Sequence, residues 1–181
     1  MLTGAQTASR LLTIPGAARR VAPSIDEATM QIKHKTYRFQ THTKWSGERR
    51  GIMSAVGRPN ISVGSPPEFK GDGTVWAPEE LMLGAINTCV LLTFLTLIQG
   101  RGVTLTGYDS EVDGILEHTN GVHQLTQVVI RPRCTVADAA QVPLARQAME
   151  EVEPRCFMSQ SVKASVTVVA EFIAGTPASG G

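Results

Sequence analysis

Apolar and polar positions change their period several times along this chain, and each change marks an element. Thr36–Trp45 is rich in Thr, Tyr and Phe and alternates, which predicts a strand. Ser46 to Gly51 reads as a hairpin turn, and Gly51–Ala55 and Asn60–Gly64 as further short strands. Ser65–Trp76 carries two prolines and two glycines and is expected to be a loop. Leu81–Ile98 then runs 18 residues without a charge, 13 of them apolar. That is the lower edge of membrane-spanning length, roughly 18 residues. Gly84, Asn87, Thr88, Thr93 and Thr96 interrupt the run, and Gly100-Arg101-Gly102 stops it. A core helix, apolar nearly all round, is therefore expected rather than a span. Pro78 suits its first turn, and Glu79 and Glu80 face the positive end of its dipole.

Beyond this helix, Tyr108–Leu116 alternates strictly, with Asp109, Glu111 and Asp113 on the wet face. Thr119-Asn120-Gly121 is a hairpin signal, so Gln124–Val136 is expected to return as the partner strand. Asp138–Val152 places Val142, Ala145, Met149 and Val152 at helical spacing, with Pro154 as its stop. Cys156–Ser161 is expected to form a short turn of helix. Lys163–Ile173 reads as a last strand with Ala164, Val166, Val168, Ala170 and Phe172 facing a core. Strands, helix, strands, helix, strand is an α+β order.

Composition narrows the function classes. In 181 residues there are 17 basic and 16 acidic side chains, net charge +1, and nine aromatic residues. That argues against an electrostatic nucleic-acid binder and against base-stacking platforms. Residues 1–25 carry Arg10, Arg19 and Arg20 and no acid, a pattern shared by mitochondrial transit peptides and by simple tails. The expected organisation is an extension over 1–30, one domain over 31–174 and a flexible tail over 175–181. The expected location is cytoplasmic, with mitochondrial as the alternative.

Three cysteines, Cys89, Cys134 and Cys156, are too few for a disulfide scaffold and contain no CxxC pair. His34, His42, His118 and His123 have no partner at metal-ligand spacing. Met30, Met53, Met82, Met149 and Met158 read as core filler, with Met158 a candidate pocket residue. Cys156 follows Arg155 and opens a predicted helical turn, and both features lower a thiol's pKa. Cys134 ends a strand and reads as structural.

Ala77-Pro78-Glu79-Glu80-Leu81, then Ala85 and Cys89, resembles the Pro-Glu-Glu-Leu…Cys helix of the OsmC/Ohr family of thiol peroxidases. Cys156-Phe157-Met158-Ser159-Gln160, 67 residues after Cys89, resembles the family's Cys-Pro-x-Ser segment. The resemblance runs from about Tyr37 to Phe172. It implies antiparallel sheets wrapped around a long buried central helix in an intertwined homodimer. It also implies a peroxidatic Cys89 and a resolving Cys156 acting on organic hydroperoxides. No bound cofactor or metal is implied; the reductant is an external dithiol or a lipoylated protein, and neither membrane nor nucleic acid is a partner.

The family activates its cysteine with an arginine held by the glutamate matching Glu79. In Ohr-type members that arginine lies in the first hairpin after a glycine, where this chain offers Arg49 and Arg50. In OsmC-type members it precedes the Phe matching Phe69, and here that position is Glu68. Phe157 stands where the family has proline, adding apolar bulk beside Cys156. An acid at position 68 motivates the alternative function, a non-catalytic dimer that senses redox state or binds an apolar ligand.

Overall fold

The computed structural model describes residues 35–175. The chain divides into two units, Met1–Phe39 and Gln40–Gly181. Of the first, only residues 35–39 are described, and they hold no helix or strand. The transit-peptide pattern and nearly all of the C-terminal tail lie outside the described residues.

The second unit opens with a three-stranded antiparallel sheet, β1 (His42–Gly47), β2 (Arg50–Ser54) and β3 (Ile61–Gly64). The expected first strand is shorter than its pattern. The β1–β2 register ends where His42 pairs with Ser54, the last residue of β2, and the described residues 35–41 lie outside the strand. The turn is also tighter than the one expected: both strands extend into it, leaving Glu48 and Arg49 at the tip. Gly47 and Glu48 take positive φ there, 118° and 47°.

α1 (Pro78–Gln99) is the predicted helix, with Pro78, Glu79 and Glu80 in its first turn as expected. The Glu80 carboxylate reaches back to accept the Ala77 N–H at 2.9 Å, satisfying an orphan donor of the first turn. Asn87 explains how one amide lies in an apolar helix. It donates to the Ser110 carbonyl at 3.2 Å and accepts from the Ser110 hydroxyl at 2.8 Å, tying α1 to the next strand.

That strand, β4 (Leu105–Thr119), pairs antiparallel with β5 (Val122–Val136) in a long hairpin. Asn120 and Gly121 close it with φ of 54° and 81°, the left-handed pair such a two-residue turn demands. Two single strands follow the helices, β6 (Ser165–Val168) and β7 (Glu171–Ala174). Both lie parallel to β5, which corrects the expectation of purely antiparallel sheets. The reason is the connection: a helical crossover brings the chain back to the same end of the sheet, and a crossover yields parallel pairing. The expected core face of this last strand holds across the break, with Val166, Val168, Ala170 and Phe172 packed on the core.

The crossover also differs in detail. Asp138 caps a 3₁₀ turn, Ala139–Gln141, by accepting from the Ala140 N–H at 2.9 Å. α2 (Val142–Glu150) follows, then a single turn, α3 (Val152–Arg155), and another, α4 (Phe157–Gln160). Pro154 has no N–H to offer the Glu150 carbonyl, so the ladder of α2 stops there although Pro154 itself sits in the next turn.

The core lies between α1, α2 and the β4–β7 sheet. Phe94, Ile86, Val90, Ile130, Val128 and Val136 are among its fully enclosed members. Only one side of α1 enters it: Ile86, Cys89, Val90, Phe94 and Ile98 are buried, whereas Met82, Leu92 and Leu95 are exposed. The expectation of a helix buried on all sides is therefore not met within one chain. Met82 is correspondingly not core filler, although Met149 is. α1 is long and apolar enough, by length and composition, to cross a membrane, but its buried residues are part of the core just described. The β1–β3 sheet packs mainly within itself; the extensive contacts of α1 are with β4 and with α2, α3 and α4.

Candidate active site

Cys89 sits mid-helix, where the helix terminus gives its sulfur little help. Cys156 is the residue between α3 and α4, fixed by its N–H, which reaches the Val152 carbonyl at 2.8 Å. The two thiols are neighbours: the Cys156 side chain is among the groups that act on the Cys89 thiol. Both are free thiols, Cys156 fully buried and Cys89 only 7% exposed. Burial, and then the neighbouring Cys156, push the Cys89 thiol above its ordinary range. Hydrogen bonds from the Met158 backbone and the Thr93 hydroxyl pull the other way without cancelling the rise.

The Cys89 side of α1 borders a cavity of about 1060 Å³. Leu81, Ala85, Thr88, Cys89, Leu92 and Thr96 follow one another at helical spacing along its floor. Ile61 and Trp76 form one wall, and Arg155, Phe157 and Met158 the other. Phe157 and Met158 thus line the cavity beside Cys156, as their sequence position suggested. Arg155 and Glu80 are its charged residues, among those described. Arg155 is held by Glu151 at 2.9 Å, and Glu151 by Arg101 at 2.6 Å. That contact with Arg101 holds the Glu151 carboxyl below the usual carboxylate range.

The remaining sequence candidates lie elsewhere in this chain. Arg50 pairs with Asp72 and donates to the Thr74 hydroxyl at 2.6 Å. Arg49 and Arg50 line two small depressions beside the first hairpin, not the Cys89 cavity. Glu79 faces a separate depression with Met82, His123 and Lys163, and its buried Oε2 has no hydrogen-bond partner. Glu68 is exposed, and the neighbouring Phe69 stacks edge-on against His123 at 5.4 Å. Cys134 is fully buried and is not among the residues that line the cavity; burial pushes its thiol up to about 11. Arg155 was not singled out as a site residue, although its place before Cys156 was the available signal.

A pair of neighbouring buried thiols is thus presented by a central helix and a crossover turn, with Cys89 on the lining of an apolar cavity and Cys156 buried behind it. Comparison with known proteins identifies the family. Residues 71–171 match the family model described as OsmC-like protein, and the chain belongs to that family. An uncharacterized protein of Bacillus subtilis (strain 168), YmaD, is 27% identical over 139 residues, covering 75% of this chain and 93% of the relative. The OsmC-like protein of unknown function VCA0330 from Vibrio cholerae superposes with a TM-score of 0.69 at 18% identity, over 75% of this chain and all of that one. An organic hydroperoxide resistance protein OsmC from Legionella pneumophila has a similar fold, with a TM-score of 0.57 at 17% identity, over 76% of this chain and 98% of that one.

Proposed function

We propose that the chain is a thiol-dependent peroxidase that reduces organic hydroperoxides to alcohols. The pairing of Cys89, on the lining of the apolar cavity, with the neighbouring buried Cys156 carries this reading. The Cys89 thiolate attacks the distal peroxide oxygen; an S–O bond forms as the O–O bond breaks. The departing alkoxide takes a proton and leaves as the alcohol, and Cys89 is left as a sulfenic acid. Cys156 then attacks that sulfur, the disulfide forms, and hydroxide leaves as water with the proton from Cys156. An external dithiol, or a lipoyl group on a protein, returns the pair to thiols and becomes a disulfide itself.

A buried thiol of raised pKa needs a cation to act as a thiolate near neutral pH. Arg49 and Arg50 are the proposed sources, with Glu79 as their anchor, and a second copy of the chain delivers them. Three observations support that homodimer. The exposed side of α1 is apolar at Met82, Leu92 and Leu95. The β1–β3 sheet has little to pack on in its own chain. Gly84 sits mid-helix with nothing within 4 Å of where a Cβ would be, so no contact within the chain calls for a glycine there. A helix glycine costs about 1 kcal/mol relative to alanine, and close approach by a second helix would account for it. The second copy covers the stripe at Gly84, Thr88 and Leu92, leaving a pocket between Cys89 and the Arg155–Met158 wall.

The test is turnover of cumene hydroperoxide with a dithiol reductant. Cys89→Ser is expected to fall to the uncatalysed background; equal turnover by wild type and variant contradicts the proposal. The raised Cys89 pKa favours one other reading, a non-catalytic dimer that binds an apolar ligand or senses redox state. Thiols that stay reduced under excess hydroperoxide favour simple binding, and a reversible disulfide without turnover favours sensing.

A further inference from the structure

Arg155 has no task in the peroxidase chemistry just described, yet it is the cation of the cavity. Its neighbours keep it there rather than neutralise it. Arg101, Glu151 and Arg155 form a chain of two guanidiniums about one carboxylate, so one positive charge remains. Arg101 stands just past the end of α1, and Arg155 immediately before Cys156, so the chain ties the cavity rim to both cysteine-bearing segments. The other charged lining residue, Glu80, is occupied with the Ala77 N–H at the opposite end of the helix floor. The Arg155 side chain is 59% exposed, and Phe157 and Met158 supply apolar lining beside it.

A spare positive charge beside apolar lining, on the cavity that Cys89 also lines, suits one kind of molecule. That molecule carries an apolar stretch with an anionic group at a distance from its peroxide. We propose that Arg155 is a specificity-determining residue that receives a carboxylate at the cavity rim, so that the site prefers carboxylate-bearing hydroperoxides over neutral ones of the same size. This inference rests on the peroxidase reading for its kinetic test, but not for its binding test. Arg155 acts on the bound molecule's charge and leaves the chemistry at Cys89 alone.

Linoleic acid hydroperoxide and its methyl ester share chain and peroxide and differ in charge. Wild type is expected to show a KM for the acid about tenfold below that for the ester, the scale of one charge-assisted hydrogen bond at a half-exposed site. Arg155→Gln should raise KM for the acid to the ester's value. It should leave kcat, the ester's KM and the pH dependence of Cys89 alkylation unchanged; Arg155→Lys should restore part of the preference. A purely structural role would move acid and ester together. Equal KM values in wild type, or a preference that survives Arg155→Gln, overturn the inference. If wild type turns over neither these nor cumene hydroperoxide, the peroxidase reading fails by itself. Arg155 is then judged by displacement of a fluorescent fatty acid from Cys89→Ser protein. Linoleic acid displacing it better than methyl linoleate, with the difference lost on adding Arg155→Gln, supports the inference; equal displacement overturns it.

Discussion

Cys89 is reactive only as far as its surroundings allow. Burial and the adjacent Cys156 raise its pKa, so the protonated thiol is the form favoured in the isolated chain. At a dilution that keeps the chain monomeric, the rate of iodoacetamide alkylation at Cys89 should therefore keep climbing above about pH 8.5, where an ordinary thiol levels off. A plateau at or below that pH would show that a cation reaches the sulfur without a second copy. Cys134 offers a cleaner reading because nothing but burial acts on it. The folded chain holds the Cys134 proton up to about pH 11, whereas the unfolded chain releases it from about pH 8.5. The unfolded state thus binds fewer protons in that window, and stability falls as pH rises through it. Cys134→Ala should flatten the fall of Tm across this range, whatever it does to Tm at neutral pH. Phe157, 67% exposed on the cavity wall, contributes contact area rather than folding stability. Its change to Ala should raise the KM for cumene hydroperoxide a few-fold with kcat unchanged, as loss of partial burial worth about 1 kcal/mol predicts.

The elements were legible where a single period ran without interruption. α1, the β4–β5 hairpin and the alternating face of the last strands follow from runs of one period bounded by glycine, proline or Asn-Gly. The errors have tertiary causes. Residues 36–41 have strand composition, but the β1–β2 register ends at the pair of His42 with Ser54. Parallel pairing of β6 and β7 follows from a crossover that no strand pattern encodes. At the site, the motifs single out both cysteines; Cys89 lines the cavity, and Cys156 lies buried between the lining residues Arg155 and Phe157. The placement of Arg49, Arg50 and Glu79 away from it was not legible, because spacing does not say which sheet covers which helix. Gly84 tests the covering helix directly. Replacing a helix glycine by leucine should strengthen an isolated helix by about 0.8–1 kcal/mol. At a helix–helix crossing the added bulk instead separates the copies. Gly84→Leu is expected to elute as a monomer at concentrations where wild type is a dimer; an unchanged dimer places the crossing elsewhere.

At the scale of the whole molecule, one chain holds both thiols, while Arg49 and Arg50, the arginines proposed to activate them, line other depressions. In the proposed intertwined homodimer each site is completed from two copies, and complementation can show this. Cys89→Ser chains and Arg49→Gln/Arg50→Gln chains should each be inactive as homodimers. Co-refolded, they form mixed dimers in which one site has an intact cysteine pair from one copy and both arginines from the other. Activity should return toward one functional site per mixed dimer. Failure of mixed dimers to recover would mean that any arginine contribution comes from within the same chain.

The central claim is that Cys89 and Cys156 are a redox couple driven by hydroperoxide. Mass spectrometric peptide mapping after one equivalent of cumene hydroperoxide tests it most directly. The account predicts loss of two hydrogens from the chain, a single linked peptide pair joining Cys89 to Cys156, Cys134 still a free thiol, and full reversal by dithiol. Cys89 and Cys156 both recovered as unmodified thiols, or a disulfide that involves Cys134 instead, would contradict it.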